Sequence, residues 1–203
     1  ILSGVYTRDS GNIEIFGKKI EGDLNTKQAQ ELGVAIIHQE LNMCQHLTVA
    51  ANMFLGRELI KGGRLDTAEM NKRAVAELAK LGIHDLDPDE IVGNLTVGRQ
   101  QMVEIAKALL INAKVLVMDE PSSSLSNAEI VEMFRIVREL RAMGTAIVYI
   151  SHRLGELHHI VDDVTIMRDG RYITEGKFED FTMEQIIANM VGREITNQFP
   201  RDT

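Results

Sequence analysis

An apolar run that ends in two carboxylates constrains the fold of this chain more than any other feature. Residues 115–118 are consecutively apolar, and the sequence Asp-Glu-Pro (119–121) follows directly. A second apolar run, 146–150, ends in Ser-His (151–152). Strands that are apolar on both faces are typical of a parallel sheet covered by helices. The chain is therefore predicted to be α/β, with a parallel sheet at its centre.

The segment between these two runs is predicted to be a helix with a marked beginning and end. Ser126 and Glu129 have the spacing of a capping box, apolar residues then recur at helical intervals, and Gly144 follows the last of them. A third apolar run, 33–37, ends in His-Gln (38–39). Successive parallel strands are joined by right-handed crossovers, so the polar residues that end these runs are expected at one edge of the sheet.

Two other regions have different patterns. Residues 47–110 are predicted to be helical throughout, with one helix capped by Asp66 and another starting near Val97. Asp-Gly (169–170) between two alternating runs predicts a hairpin, and residues 12–17 alternate like an antiparallel edge strand. The predicted architecture is a parallel core with an inserted helical subdomain, 47–110, and a small antiparallel sheet.

Composition limits the partners and the compartment. The chain has 22 Lys and Arg against 30 Asp and Glu, a net charge of -8. This balance argues against a nucleic-acid partner held by a broad basic surface, because phosphate neutralisation requires excess Lys and Arg. A lone cysteine, Cys44, cannot form an internal disulfide and fits a reducing compartment. No apolar run approaches the ~18 residues of a membrane span.

The strand-end acids are the first candidates for chemistry. At the carboxyl edge of a parallel sheet, Asp119 could hold Mg²⁺ and Glu120 could orient or deprotonate a water. The alternative is an ordinary surface turn, since Asp-Glu-Pro is common after strands. Gln39 and His152 end neighbouring strands and could join the same site, or be a loop glutamine and a structural histidine.

A helix start supplies the other candidate. Thr96, Val97 and Gly98 stand where free backbone N–H groups and the positive end of the helix dipole favour a phosphate. The simpler interpretation makes Thr96 only an N-cap and Gly98 only a small residue. Taken alone, the simpler interpretation is preferred.

The order of these pieces resembles the ATP-binding-cassette (ABC) family over nearly the whole chain. Gln39 matches the Q-loop, residues 95–99 the signature, 115–120 the Walker B strand, 124–127 the D-loop, and His152 the switch histidine. The resemblance implies a P-loop NTPase core that binds ATP and Mg²⁺. It implies the following roles: Glu120, His152 and Gln39 in catalysis; Thr96, Val97, Gly98, Arg99 and Ser124 at nucleotide; Asp119 and Gln39 at the metal.

Finer similarities point to a subgroup. The helix 98–109, the segment 38–56 and the ending Met-Val-Gly-Arg-Glu (190–194) look like the N-terminal cassette of ribose, galactose and xylose importer ATPases. In that group a second cassette follows in the same polypeptide, and residues 194–203 resemble the linker to it. The implied partners are membrane permease subunits, contacted through the surface from Gln39 to Gly56, and indirectly a sugar-binding protein. The implied location is the cytoplasmic face of the membrane.

One family motif has no match. The sequence G-x-x-x-x-G-K-[S/T] occurs nowhere, and residues 1–4 resemble the segment that follows the P-loop helix. We therefore expect the chain to lack the first strand and the phosphate cradle, with Ile1 and Leu2 in a helix and an open sheet edge beside the Walker B strand, on Val115 and Val117. Losing three or more charge-assisted hydrogen bonds of ~1.5–3 kcal/mol each would weaken ATP binding at least ~1,000-fold. The 203 residues alone are expected to be inactive.

Departures from the family pattern affect the expected rate rather than the family assignment. Thr96 replaces Ser, Arg99 replaces the last Gln of the signature and brings a charge near the expected γ-phosphate, and Ser126 stands where many D-loops have Asp. Two alternatives remain. One is a soluble cassette protein acting on DNA or ribosomes, against which the acidic balance counts. The other is a non-catalytic gene fragment.

Overall fold

The structure is a computed structural model that describes residues 1–192, except for the side chain of Glu156. The chain divides into two compact units, Ile1–Ser151 and His152–Thr203. The predicted linker at 194–203 lies outside the described residues, and the segment 47–110 belongs to the first unit. Within residues 1–192 no helix combines the length and apolar character needed to cross a bilayer.

Short strands and helices alternate along both units. The strands are β1 (Ile13–Ile15), β2 (Lys18–Ile20), β3 (Val34–Ile37), β4 (Ile60–Lys61), β5 (Arg64–Leu65), β6 (Val115–Asp119), β7 (Ala146–Ile150), β8 (Asp163–Arg168) and β9 (Arg171–Lys177). The α-helices are α1 (Thr26–Glu31), α2 (Val49–Met53), α3 (Thr67–Lys80), α4 (Val97–Leu110), α5 (Asn127–Ala142), α6 (Leu154–Leu157) and α7 (Met183–Val191).

A parallel sheet of β3, β6 and β7 forms the centre of the first unit, with β6 in the middle. Val115 of β6 pairs with Val34 of β3 on one side and with Ala146 of β7 on the other. Leu116 and Met118, which share one face of β6, are almost completely buried, whereas Val115 and Val117 on the other face are only partly buried. The predicted parallel core is therefore confirmed.

The predicted open edge on Val115 and Val117 is wrong, because β6 has a partner strand on each side. Within residues 1–192 the edge strands of this sheet are β3 and β7, and Val148 and Ile150 of β7 are 45% and 46% exposed. An apolar pattern identifies a strand as buried but does not say which strands are its neighbours. The strand order could not be read from the sequence for this reason.

The two long helices next to β6 begin at the predicted caps. Thr96 caps α4 by accepting the Arg99 N–H, and Ser126 and Glu129 form the predicted capping box of α5. The apolar positions of α5 that were predicted from helical spacing are all buried, and the helix ends before Gly144, whose φ is +89°. Local cap chemistry and helical periodicity agree here, so both helices could be placed from sequence.

Residues 47–110 were predicted to be helical throughout, and this prediction is wrong. α2, α3 and α4 pack against one another, but β4 and β5 form an antiparallel hairpin between α2 and α3. Its turn is Gly62-Gly63, with φ of +60° and +79°, a conformation that glycine adopts without steric cost. Ile60 pairs with Leu65, and both side chains are exposed. The two glycines interrupt the helical pattern.

The predicted helix at Ile1 and Leu2 is also absent. These residues form a turn that is closed by a hydrogen bond from the Gly4 N–H to the Ile1 carbonyl. Two residues cannot sustain a helix, because helix nucleation fixes several residues for the first hydrogen bond.

The hairpin predicted at Asp169-Gly170 is confirmed, whereas residues 12–17 form a strand and a turn and not the single edge strand that was predicted. β1 and β2 pair around Phe16-Gly17, and β8 and β9 pair around Asp169-Gly170, where both residues of each turn have positive φ. In the second unit α7 packs against β8, and the Arg168 guanidinium donates to the Asn189 carbonyl at 2.8 Å. Type I′ turns explain why two-residue loops suffice.

Arg135 of α5 fixes the end of α3. Its Nη2 donates to the Leu81 carbonyl at 2.6 Å, and its guanidinium pairs with Glu132 and Glu139. Gly82 follows with φ +71°, and a Cβ there would lie 2.9 Å from Nη1 of Arg135. A side chain at this position would both strain the backbone and displace the guanidinium.

Gly82→Ala is therefore expected to destabilise the protein more than Gly62→Ala. Both substitutions place a side chain at positive φ, which costs roughly 1–2 kcal/mol. A Cβ at Gly62 meets nothing within 4 Å, whereas one at Gly82 disturbs Arg135. The extra cost should be about 1 kcal/mol, the worth of one hydrogen bond. Urea unfolding followed by circular dichroism measures the difference, and equal midpoints for the two variants would contradict it.

Candidate functional site

The ends of the three parallel strands bring Gln39 and Glu120 together. Ile37 of β3 lies opposite Met118 of β6, so the residues two positions later also lie opposite each other. Gln39 Nε2 donates to Glu120 Oε2 at 3.4 Å. The Glu120 N–H donates to the Ile150 carbonyl at the end of β7, at 2.9 Å. Glu120 therefore lies where all three strands end.

The backbone at Glu120 has an uncommon conformation. Its φ is +45°, and the Ser123 N–H donates back to the Glu120 carbonyl at 3.1 Å. A non-glycine residue in the left-handed region costs on the order of 1–3 kcal/mol, and such residues cluster at functional sites. The turn ends β6 abruptly and holds the Glu120 carboxylate at the sheet edge.

Two oxygen donors at this edge fit a Mg²⁺ ion. Asp119 is the last residue of β6. The Gln39 amide bonds to Glu120 through its nitrogen, so its oxygen does not take part in that hydrogen bond. Mg²⁺ commonly takes one or two carboxylates and completes its shell with waters and phosphates. Residues 1–192 contain no group of three or more His, Cys, Asp and Glu that could hold a metal on its own. The donor set therefore suits an ion that arrives with a phosphate ligand.

The start of α4 is held in place by a buried glutamine. Gln100 is 8% exposed, and its Nε2 donates to the Leu95 carbonyl at 3.0 Å, while its Oε1 accepts from Gln45 Nε2 at 3.1 Å. These bonds connect the loop that follows Gln39 with the first turn of α4. Thr96 and Val97, by contrast, are exposed.

Arg99 is paired with Asp85, on the loop after α3. The hydrogen bond from the guanidinium lowers the pKa of the Asp85 carboxyl. Sequence reasoning placed the Arg99 charge near a γ-phosphate, and in this conformation the charge is directed to Asp85. Its predicted role at nucleotide stays a prediction.

Glu129 joins the α4 start, and sequence reasoning recognised it only as a cap of α5. Its Oε2 accepts from the Ser126 N–H at 3.0 Å and the Ser126 hydroxyl at 2.8 Å. Its Oε1 accepts from the Thr96 hydroxyl at 3.2 Å. The capping-box spacing identified the first two bonds, but no local pattern indicates a contact between residues 33 positions apart.

Two predicted site residues remain. Ser124 is exposed in the turn between β6 and α5. His152 is exposed at the start of the second unit. Their roles at nucleotide and in catalysis stay predictions.

A cavity of about 450 Å³ opens between β3 and α4 in the first unit. It is lined by polar and apolar residues, among them His38, Leu55, Arg57, Glu104 and Lys107. The side chain of Glu104 is 12% exposed, and its Oε2 has no hydrogen-bond partner among the described residues. Burial raises the pKa of the Glu104 carboxyl, partly offset by Lys107.

The buried Asn52 holds the loop that precedes α2. Asn52 is 2% exposed, accepts the Cys44 N–H at 2.8 Å, and donates to the carbonyls of Cys44 and of two residues of the following turn. One side chain thereby satisfies the backbone of a loop that has no regular structure. The loop from Gln39 to α2 is thus a fixed surface.

Comparison with known proteins identifies the family. The model of the ABC transporter family matches residues 1–123, which include Gln39, the α4 start and the strand-end acids. The chain belongs to the ABC transporter family.

Curated relatives cover the whole chain. A protein of Burkholderia lata that is provisionally named a ribose/galactose/methyl galactoside import ATP-binding protein is 51% identical over 209 aligned residues, which cover 100% of this chain and 40% of the relative. The ribose import ATP-binding protein RbsA of Chromobacterium violaceum is 45% identical over 201 residues, covering 99% of this chain and 40% of the relative. The chain thus spans about 40% of the length of these relatives.

Solved structures agree with the fold. The ADP conformation of MJ1267, described as an ATP-binding cassette of an ABC transporter, superposes with a TM-score of 0.75 at 27% identity, covering 92% of this chain and 75% of that one. The predicted fold class, a parallel P-loop NTPase core with helical and antiparallel additions, is confirmed.

Glu104→Gln is expected to stabilise the ABC cassette at neutral pH but not in acid. The folded-state pKa of Glu104 is raised, so the wild type loses stability as pH rises from the unfolded value, about 4.3, to the folded one. Glutamine does not titrate, so the urea midpoint of the variant should exceed that of the wild type only above this window. Glu31→Gln, at the exposed end of α1, is the matched control. A midpoint difference that does not change with pH would contradict the assignment.

Proposed function

We propose that this chain is part of the energy-coupling subunit of a monosaccharide importer, and that its cassette hydrolyses ATP within the full-length protein. The contact that carries the proposal is the one between Gln39 and Glu120 at the sheet edge, beside Asp119. The names of the relatives, which are sugar import ATP-binding proteins, support the transport role. The net charge of -8 favours this role over a cassette that acts on nucleic acid.

Each residue at the edge has a separate task in hydrolysis. Glu120 accepts a proton from the attacking water, or orients it, and Gln39 holds the Glu120 carboxylate through its amide N–H. Asp119 and the Gln39 oxygen would hold Mg²⁺, which would supply charge stabilisation to the transferred phosphoryl group. For His152 we keep the catalytic role that its match to the switch histidine implies.

The α4 start serves the nucleotide of a second cassette. The phosphate-binding groups that we assign to it are the hydroxyl of Thr96 and the N–H groups of the first turn of α4. A helix start with free N–H groups suits a phosphate. Two cassettes in one polypeptide would then share each nucleotide, with Ser124 at the junction.

Glu120→Gln in the full-length protein is expected to reduce ATP turnover about 10²–10⁴-fold, the usual contribution of a positioned proton acceptor. Nucleotide binding should remain, because glutamine keeps the size of the side chain and its contact with Gln39. The measurement is steady-state phosphate release, with turnover by the second cassette subtracted. Glu40→Gln is the control, because Glu40 is an exposed acid that follows Gln39 directly in the sequence. Near-wild-type turnover in Glu120→Gln would refute the assignment.

The permease subunits dock on the surface around the cavity. This surface combines the fixed loop after Gln39, the exposed Leu55 and Arg57, and the wall of α4. A helix or loop of a membrane subunit has the size to enter a concave, mixed polar and apolar groove. The Gln39 amide stands at the head of the same loop, so docking and hydrolysis share one segment. Docking places the chain at the cytoplasmic face of the membrane, and a sugar-binding protein acts on it through the permease.

Leu55→Asp is expected to weaken co-purification of the full-length protein with its permease while leaving nucleotide binding unchanged. Leu55 is 44% exposed and lines the cavity, so a carboxylate there places a charge in the contact. Leu65→Asp, on the β4–β5 hairpin and outside the cavity, is the matched control, since Leu65 is 57% exposed. Equal losses in both variants, or no loss in Leu55→Asp, would contradict the assigned surface.

A further inference from the structure

The starts of α4 and α5 face one carboxylate. Glu129 accepts from the Ser126 N–H and hydroxyl at the start of α5, and from the Thr96 hydroxyl at the start of α4. The backbone of Gly98 also contributes to lowering the pKa of the Glu129 carboxyl. The side chain of Glu129 is therefore an anion bound by donors of the α4 helix start.

Gly98 shows how closely the carboxylate approaches α4. A Cβ built on Gly98 would overlap Oε1 of Glu129 and crowd the rest of its carboxyl group. Gly98 is buried although Thr96 and Val97 before it are exposed. The Glu129 carboxylate thus covers the Gly98 backbone, and the absent side chain at Gly98 makes room for it.

A phosphate cannot use this helix start while Glu129 remains there. The Thr96 hydroxyl, which the proposed function assigns to the nucleotide of the second cassette, already donates to Glu129, and the Glu129 carboxyl group occupies the space beside the Gly98 backbone. The hydrogen bond from the Ser126 backbone is the largest cause of the lowered pKa of the Glu129 carboxyl, which is therefore charged at neutral pH. A phosphate that arrives would meet an occupied volume and a like charge.

We propose that Glu129 is a displaceable substitute for phosphate, which occupies the α4 start in the open state and must leave before the two cassettes close on nucleotide. This inference rests on the proposed function. The Ser126 bonds stay with Glu129 when it leaves α4, so the α5 cap is preserved and only the link between the D-loop turn and the signature is broken. Glu129 is a positioning residue that sets how much ATP is required for closure.

The test uses the full-length protein with its permease and measures cassette closure by distance between spin labels on the two cassettes. Glu129→Gln keeps the size of the side chain and removes its charge. It should lower the ATP concentration for half-maximal closure by about 3- to 10-fold, the range expected from one helix-start anion and its hydrogen bonds. ADP binding and the unfolding temperature should be unchanged, a combination that a purely structural role would not produce.

Two further variants sharpen the result. Glu69→Gln is the matched control, because Glu69 occupies the same third position in α3 and its carboxylate pairs with Arg73 of the same helix. Glu129→Asp retains the charge on a shorter side chain and should shift closure in the same direction by less, which carries the test if Glu129→Gln does not fold. An unchanged or higher ATP requirement in the Glu129 variants would overturn the proposal. Wild-type protein that does not close with ATP would overturn the proposed function itself, a distinguishable result.

Discussion

The pairing of β6 with β3 and β7 is the interaction on which the site depends. Parallel register aligns the ends of the strands, so the residues that follow them meet without any further constraint. Gln39 and Glu120 are 81 positions apart, yet each follows its strand by one or two residues and they share a hydrogen bond. The core that stabilises the unit, with Leu116 and Met118 almost fully buried, also sets this geometry. Core packing and site geometry therefore have one origin.

Sequence patterns predicted the features that depend on neighbouring residues. The caps at Thr96 and Ser126 and the hairpin at Asp169-Gly170 are local, and the structure confirms them. Patterns failed where non-local choices decide the outcome. The order of strands around β6 depends on which edges meet, and the β4–β5 hairpin replaces helix because Gly62-Gly63 permits a tight turn. Neither choice is visible in periodicity.

The candidate site divides in the same way. Asp119, Glu120 and Gln39 could be predicted because strand ends in a parallel sheet converge, which is a property of the fold class. The partners of the α4 start could not be predicted. Arg99 turns to Asp85, and Glu129 reaches Thr96 across two helices. Such contacts follow from how α3, α4 and α5 pack, and the sequence gives no spacing for them.

The turn between β6 and α5 joins the two halves of the proposed chemistry. It begins at Glu120, which ends the strand with positive φ, and leads to Glu129 in the first turn of the helix. Pro121, Ser122 and Leu125 are buried within it, so the turn is packed and not a loose tether. A movement of the α4 start would therefore act on the same short segment that carries Glu120, the proposed water-activating acid. Because the Ser126 bonds hold Glu129 on α5, release of α4 alters this link without unravelling the helix.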